Sequence, residues 1–166
     1  MNVEIVLMEY AQKSVLRQLL ELYTYEWTEY ADWDINEHGY FGYPYVDNYW
    51  NEPERYPYLI KADGKIAGFA LICPHCEYRA EADAHCIGEF FVMLKYRRKG
   101  VGMQAAMKLF EKHKGNWEIT YWKKNVRAAK FWLTVVDRYA PDNYQTCEYD
   151  DVNGKGIKHG GFLFSN

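Results

Sequence analysis

The sequence predicts one α+β domain over residues 1–166. Its patterning gives the element order β, α, short helix, β, β, β, α, β, α, β, β, with seven strands. No repeat, low-complexity segment or linker interrupts that order. A chain of 166 residues is also long enough to bury a substantial core. We therefore expect one α+β domain rather than two.

The first third contains a strand, a helix and an irregular segment. Residues 3–8 alternate as a strand does, and residues 14–27 place apolar side chains on one helical face. Residues 30–56 are dense in Tyr and Trp and are broken by Gly and Pro. We expect a short helix at 46–50 and otherwise a cover over a site.

The remaining elements follow from turn and cap signals. Asp63-Gly64 predicts a tight hairpin between strands 58–62 and 65–73. An apolar run from Cys86 to Leu94 predicts the central strand, and a helix that ends near His113 follows it. Asn125 is a candidate N-cap for a helix at 126–139, between strands 117–122 and 144–149. A turn at 151–156 and a last strand at 157–164 complete the chain.

Composition narrows the class of protein. The net charge of −3 does not suggest a nucleic-acid partner, and no apolar run is long enough to span a membrane. The N-terminus, Met1-Asn2-Val3-Glu4, lacks a signal-peptide pattern. We therefore expect a cytoplasmic protein whose four cysteines are reduced.

Charge is distributed unevenly along the chain. The acidic segment, Gln18–Glu54, contains nine acidic residues and no Lys or Arg. Between Lys95 and Lys114 there are seven basic residues against the single acid Glu111. This polarity suggests an anionic ligand at one place and a cationic ligand at another.

The most informative stretch is the basic turn, residues 97–102, which follows the central strand and opens a helix. Its sequence is Arg97-Arg98-Lys99-Gly100-Val101-Gly102. Glycines let the backbone approach a ligand, and the first amides of a helix have no partner inside that helix. The basic turn is therefore a candidate anion site, unless it is only a connection from strand to helix.

This stretch resembles the signature of the GCN5-related N-acetyltransferase (GNAT) superfamily, which reads Arg or Gln, two residues, Gly, one residue, then Gly or Ala. The segment from Asn125 to Trp132 is similar to the family's Asn-x-x-Ala helix. The resemblance implies a GNAT-like mixed sheet of about seven strands, splayed between strands 4 and 5 and flanked by about four helices. It also implies acetyl-CoA as co-substrate.

By that resemblance, the basic turn would hold the pyrophosphate of acetyl-CoA, and the strand before it would pair with the pantetheine arm. Asn125 would reach the same ligand, although an N-cap role alone also explains it. The implied cofactor-binding residues are Val92, Met93, Leu94, Arg97, Arg98, Lys99, Gly100, Val101, Gly102 and Asn125.

Acetyl transfer to an amine needs a base, and Glu89 is the first candidate because it is an acid inside an apolar strand. The alternative is that Glu89 only pairs with a neighbouring Arg or Tyr, or points to solvent. His85 is the second candidate. The family's usual acid, a Tyr, is replaced here by Trp132, whose indole cannot protonate a thiolate. Tyr121, Tyr139, Tyr144 or water would then supply that proton.

The acidic segment has the chemistry to attract a protonated amine, because aromatic faces and carboxylates both bind cations. Its candidate substrate-binding residues are Glu26, Trp27, Glu29, Tyr30 and Trp33. We expect a small-molecule, cationic amine substrate and a monomer or homodimer. The alternatives are a protein N-terminus or lysine as acceptor, a non-catalytic acyl-CoA sensor, and an acidic face that is merely solvated.

Cys73, Cys76, His85 and Cys86 resemble a zinc-ligand set in spacing. Cys73 and Cys86, however, occupy positions where a strand needs apolar side chains. We therefore predict no metal.

Overall fold

A computed structural model describes residues 1–150 and 156–166. The predicted turn at 151–156 therefore lies almost entirely outside the described residues. The strands are β1 (Val3–Leu7), β2 (Tyr56–Ala62), β3 (Lys65–Cys73), β4 (Ala84–Val92), β5 (Asn116–Trp122), β6 (Tyr144–Asp150) and β7 (Lys158–Ser165). The α-helices of the described residues are α1 (Lys13–Trp27), α2 (Asn48–Asn51), α3 (Val101–Lys112) and α4 (Val126–Tyr139).

Hydrogen bonds order the seven strands β1-β2-β3-β4-β5-β7-β6. The β4–β5 pair is parallel, whereas β1–β2, β2–β3, β5–β7 and β6–β7 are antiparallel. The parallel ladder is short and runs from Ala84↔Asn116 to Cys86↔Glu118. The predicted α+β class, with a mixed seven-stranded sheet and four helices, is confirmed.

The chain forms two compact units. The first comprises residues 1–72 and 89–105, and the second comprises residues 73–88 and 106–166. β4 and α3 each contribute residues to both units. That residues 1–166 act as one domain stays a prediction.

The first unit is built around α1. Its apolar face buries Leu16, Leu19 and Leu20, and these side chains pack with Phe69 of β3 and Phe91 of β4. The hairpin between β2 and β3 turns at Asp63 and Gly64, whose φ angles are 50° and 75°. Two successive positive φ angles are what the Asp-Gly pair predicts.

The second unit holds a buried carboxylate. Glu118 of β5 is fully buried and accepts hydrogen bonds from the backbone amides of Glu77, Tyr78 and Arg79 at 2.8, 2.8 and 3.0 Å. The Arg79 side chain bonds in turn to the backbone oxygens of Trp117 and Phe164. Together these bonds fix the loop before β4 to β5.

The central strand is shifted by two residues toward the N-terminus relative to the predicted run from Cys86 to Leu94. β4 ends at Val92, and residues 94–96 form a 3-10 turn, so the prediction that the strand continues to Leu94 is wrong. The backbone turns because the carbonyl of Met93 accepts from the amide of Tyr96, which closes the 3-10 turn. Leu94 is 74% exposed as a result. None of the described helices is both long and apolar enough to cross a membrane.

Candidate active site

The basic turn lies in the first unit and presents unpaired backbone donors. Arg98 and Gly100 have φ angles of 58° and 78°, and α3 begins at Val101. Among the described residues, none of the six amides of residues 98–103 makes a hydrogen bond of standard geometry to a protein acceptor. Six donors at the N-terminus of a twelve-residue helix form an arrangement suited to an anion.

The side chain of Arg97 is bound to the protein itself. Its Nη2 donates to both carboxylate oxygens of Glu26 at 2.7 and 2.6 Å, and its Nε donates to the carbonyl of Val92 at 2.5 Å. The guanidinium also lies over the ring of Phe91, 5.6 Å from its centroid. Arg97 thus contributes its backbone to the basic turn, while its charge is paired with α1.

Backbone groups at the end of β4 are partly occupied. The Val92 carbonyl accepts from Arg97, and the Met93 amide donates to the Ala67 carbonyl at 2.8 Å. The Met93 carbonyl is used by the Tyr96 amide at 2.9 Å. Pairing of the pantetheine arm with residues 92–94 therefore stays a prediction, and these bonds leave it fewer backbone groups.

Glu89 of β4 meets a partner from α1. The hydroxyl of Tyr23 donates to Glu89 Oε2 at 2.5 Å. Burial raises the pKa of Glu89 to about 7, while the hydroxyls of Tyr23 and Tyr43 act in the opposite direction. Burial, followed by the nearby Glu89 charge, raises the pKa of Tyr23 well above its usual value, so Tyr23 remains a donor. Glu89 thus has the proton affinity of a base that works near neutrality.

Tyr43 belongs to the irregular segment predicted to cover a site. The Glu21 carboxylate of α1 anchors this segment by accepting from the amides of Phe41 and Gly42 at 2.7 and 3.1 Å. A pocket of about 440 Å³ lies between α1 and residues 40–46, and Tyr43 forms part of its wall. Tyr43 therefore both hydrogen-bonds to Glu89 and lines this pocket.

Aromatic rings continue from Glu89 along α1. Tyr23 packs edge-on against Phe91 and Trp27, with ring centroids 5.9 Å apart in both pairs. Trp27 in turn contacts Tyr30 and Trp33 at 5.8 and 6.4 Å. Of the predicted acceptor residues, the structure thus brings together Trp27, Tyr30 and Trp33. Of the other two predicted residues, Glu26 forms an ion pair with Arg97, and Glu29 is exposed.

The remaining predicted residues lie in the second unit. Tyr121 stands at the C-terminal end of β5, over Gly160 of β7. Tyr139 bonds to Asn166 and packs on Phe164, which pairs with Trp117 at the other end of β5. The structure therefore does not bring Tyr121 and Tyr139 together.

His85 and Asn125 have identifiable structural roles. The Nε2 of His85 lies 3.1 Å from the carbonyl of Lys114, and the Asn125 side chain accepts from the Ala128 amide at 3.0 Å. The predicted N-cap at Asn125 is confirmed, whereas its contact with a ligand stays a prediction. Trp132, at the family's Tyr position, is buried and packs against Phe131 at 4.8 Å.

Three of the cysteines cluster. Hydrogen bonds from Cys73 and Cys76, followed by burial, raise the pKa of the Cys86 thiol well above its usual value. In the part of the chain that the structure describes, no group of three or more His, Cys, Asp or Glu side chains is arranged to hold a metal ion. Cys73 and Cys86 are buried among apolar strand residues.

The sequence left open a neighbouring Arg or Tyr as the partner of Glu89, but it did not identify Tyr23 and Tyr43 as these partners. Tyr23 falls on the apolar face of α1, so its spacing predicts a core side chain. A usable signal was present, because an acid inside an apolar strand needs a buried hydrogen-bond donor, and Tyr is an apolar residue that carries one.

Comparison with known proteins identifies the site's relatives. Residues 13–134 match the family model described as "Acetyltransferase (GNAT) family". This range contains α1, β4, the basic turn and most of α4. No curated protein matches the sequence significantly.

Solved structures share the fold. An acetyltransferase from Thermus thermophilus superposes with a TM-score of 0.71 at 11% identity, covering 100% of this chain and 98% of that one. The GNAT acetyltransferase from Streptococcus pneumoniae gives 0.63 at 14% identity, covering 99% and 100%. The ribosomal-protein-S18-alanine N-acetyltransferase from Escherichia coli gives 0.59 at 13% identity, covering 99% and 94%.

Proposed function

The chain belongs to the acetyltransferase (GNAT) family and is an N-acetyltransferase. On this basis, we propose that it transfers an acetyl group directly from acetyl-CoA to a small cationic amine. The observation that carries the proposal is Glu89, whose pKa is raised to about 7 and whose carboxylate is bonded to Tyr23. Glu89 lies in the same compact unit as the basic turn.

The basic turn fits the donor's pyrophosphate. The unpaired amides of residues 98–103, together with the side chains of Arg98 and Lys99, supply positive potential where two phosphate groups would bind. A positive φ at Gly100 turns the backbone without a side chain in the way. Acetyl-CoA, when bound, supplies the acetyl group as a thioester.

Glu89 is proposed to accept the proton that the acceptor amine loses, directly or through water. A carboxylate with a pKa near 7 is about half ionised at neutral pH, and it is a stronger base than an ordinary Glu. Tyr23 holds the carboxylate in one orientation. The thiolate that leaves then takes a proton from water.

The acceptor is proposed to bind along the aromatic rings of α1 and the residues that follow it. Trp27, Tyr30 and Trp33 lie next to one another, and Trp33 is 45% exposed. Acidic residues flank these rings in the sequence, and the acidic segment contains no Lys or Arg. Such a surface favours a protonated amine.

We further propose a cytoplasmic protein that acts as a monomer or homodimer.

An amine panel tests this function. Thiol release from acetyl-CoA would be followed with polyamines, aminoglycosides, free lysine and a peptide with a free N-terminal alanine. We expect turnover with the small polycationic amines, and a KM for them that rises with ionic strength, because charge attraction is screened. Turnover confined to the peptide would instead favour a protein N-terminus as acceptor.

Charge reversal locates the acceptor surface. The double variant Glu29→Lys, Asp32→Lys should raise the acceptor KM and leave the Kd for CoA unchanged. Glu4→Lys, the same change outside the acidic segment, is the matched control. CoA binding without turnover of any amine would contradict the enzymatic proposal and support the sensor alternative.

A further inference from the structure

Arg97 and Glu26 form an ion pair between the basic turn and the end of α1. Both carboxylate oxygens accept from the same guanidinium, at 2.6 and 2.7 Å. The two side chains are 33% and 36% exposed, so the pair is partly shielded from water. The residues are 71 positions apart in sequence, so the pair links two elements that are distant in the chain.

The same guanidinium also fixes the end of β4. Its Nε donates a hydrogen bond to the Val92 carbonyl, and its Cζ lies over the Phe91 ring, 5.6 Å from the centroid. Arg97 therefore holds three things at once: a carboxylate of α1, the last carbonyl of β4 and an aromatic ring of the core. A planar group with several fixed donors suits this role better than the single ammonium of Lys.

The basic turn depends on such an anchor. Its amides from residue 98 onward have no protein acceptor among the described residues, and two of its residues, Arg98 and Gly100, have positive φ angles. At its far end, the Gln104 amide bonds to the Gly100 carbonyl and starts α3. At its near end, the Arg97 side chain attaches the turn to the Glu26 carboxylate and to the Val92 carbonyl.

We propose that Glu26 is a positioning residue for acetyl-CoA, acting through Arg97, rather than a contact for the acceptor amine. Glu26 lies in the acidic segment, yet both of its oxygens are already bonded to Arg97. Loss of the Glu26 carboxylate would remove this ion pair from Arg97 and let the basic turn leave the conformation described above. This inference rests on the proposed function of the turn.

The chain offers a matched control. Arg55 bonds to Glu52 at 2.5 Å, lies over the ring of Tyr49 at 5.3 Å, and also belongs to the first unit. Glu52→Gln removes the same charge from the same kind of pair, at a place away from the basic turn. The two Glu→Gln variants would be compared by calorimetric titration with CoA, by thermal unfolding and by the separate KM values of acetyl-CoA and acceptor.

We expect Glu26→Gln and Arg97→Lys each to raise the Kd for CoA and the KM for acetyl-CoA by about tenfold, with the acceptor KM unchanged. Glu52→Gln should leave the Kd for CoA unchanged even if it lowers the unfolding temperature equally. In an alanine cycle, the double variant Glu26→Ala, Arg97→Ala should bind CoA no more weakly than the weaker of the single variants Glu26→Ala and Arg97→Ala.

A normal Kd for CoA in Glu26→Gln, or a raised acceptor KM alone, would overturn the inference. Failure of the wild-type protein to bind CoA would instead overturn the proposed function, so the two failures are distinguishable. Glu26→Gln has nearly the shape of the native side chain, so the test does not depend on the alanine variants folding.

Discussion

The hydroxyl of Tyr23 and the carboxylate of Glu89 meet at 2.5 Å, although 66 positions separate them in the sequence. The bond joins α1 to β4 at the point where the strand carries its acid. It is charge-assisted when Glu89 is ionised, and such bonds are stronger than neutral ones. It also opposes burial in setting the pKa of Glu89, which remains near 7.

Replacing Glu89 tests its role as base. Glu89→Gln should lower kcat/KM by roughly 10²–10⁴-fold, the usual contribution of a general base. In the wild-type enzyme kcat/KM should fall as pH drops below about 7, because protonated Glu89 cannot accept a proton. The variant should lack this fall. If Glu89→Gln shows the same pH dependence of kcat/KM as the wild type, Glu89 is not the base.

Glu89 also makes folding stability depend on pH. Its folded pKa, about 7, exceeds the ordinary value of 4.5, so between these pH values the native state binds more protons than the unfolded state. Its contribution to the free energy of unfolding should therefore decrease as pH rises from 4.5 to 7. Urea unfolding would be measured at about pH 5 and about pH 8. The free energy of unfolding of Glu89→Gln, relative to that of wild type, should be higher at about pH 8 than at about pH 5. An identical difference at both pH values would contradict the shifted pKa.

Removing the hydroxyl of Tyr23 should move the pH profile. In Tyr23→Phe the carboxylate loses a donor that favours its ionised form, so the pKa of Glu89 should rise. The acid limb of kcat/KM should shift to higher pH, and the rate at about pH 7 should fall roughly two- to tenfold. Tyr25→Phe, on the exposed side of the same helix, is the control and should leave the limb in place. A limb that stays in place in Tyr23→Phe would show that the hydroxyl does not tune the base.

Alanine variants at two glycines can distinguish the effect of backbone strain from an effect on ligand binding. Gly100 in the basic turn and Gly64 in the β2–β3 hairpin have φ angles of 78° and 75°. Alanine at either position should cost about 1–2 kcal/mol of stability, since both need the left-handed region. Titration with CoA should show weaker binding for Gly100→Ala only. Equal Kd values for the two variants would contradict a role of the basic turn in binding the donor.

The buried carboxylate of Glu118 should stabilise the second unit. Glutamine has one acceptor oxygen and directs N–H groups at the amides of residues 77–79, so Glu118→Gln should cost about 2–4 kcal/mol in urea unfolding. The control is Glu81→Gln, whose exposed carboxylate pairs with Arg79 and should change stability by less than about 1 kcal/mol. Similar losses in both variants would mean that the three amide bonds contribute little.

Local signals in the sequence predict most of the elements correctly. The Asp63-Gly64 pair predicts a turn with two positive φ angles, and Asn125 predicts the start of α4, because both depend on residues within three positions. The end of β4 could not be predicted in this way. Met93 and Leu94 are apolar and fit a strand, yet the hydrogen bond from Tyr96 to Met93 makes the chain turn.

Pairings between distant residues are the part that sequence patterns did not specify. In the sequence, Glu26 is one of nine acids in the acidic segment, and Arg97 is one of three basic residues in the basic turn. Their charges in fact neutralise each other across 71 positions. Periodicity identifies which face of α1 is buried, but it does not identify which residue of β4 meets Tyr23.

Because the five backbone amides of residues 98–102 have no acceptor among the described residues, we expect folding to be thermodynamically linked to anion binding at the basic turn. Any small oxyanion that occupies this turn stabilises the native state in proportion to the logarithm of its concentration over its Kd, once that ratio is large. We therefore expect the melting temperature to be higher in phosphate or sulfate buffer than in a buffer without such anions. Stabilities of turn variants are comparable only at fixed buffer composition, and the buffer series itself reports on the turn before any acceptor is known.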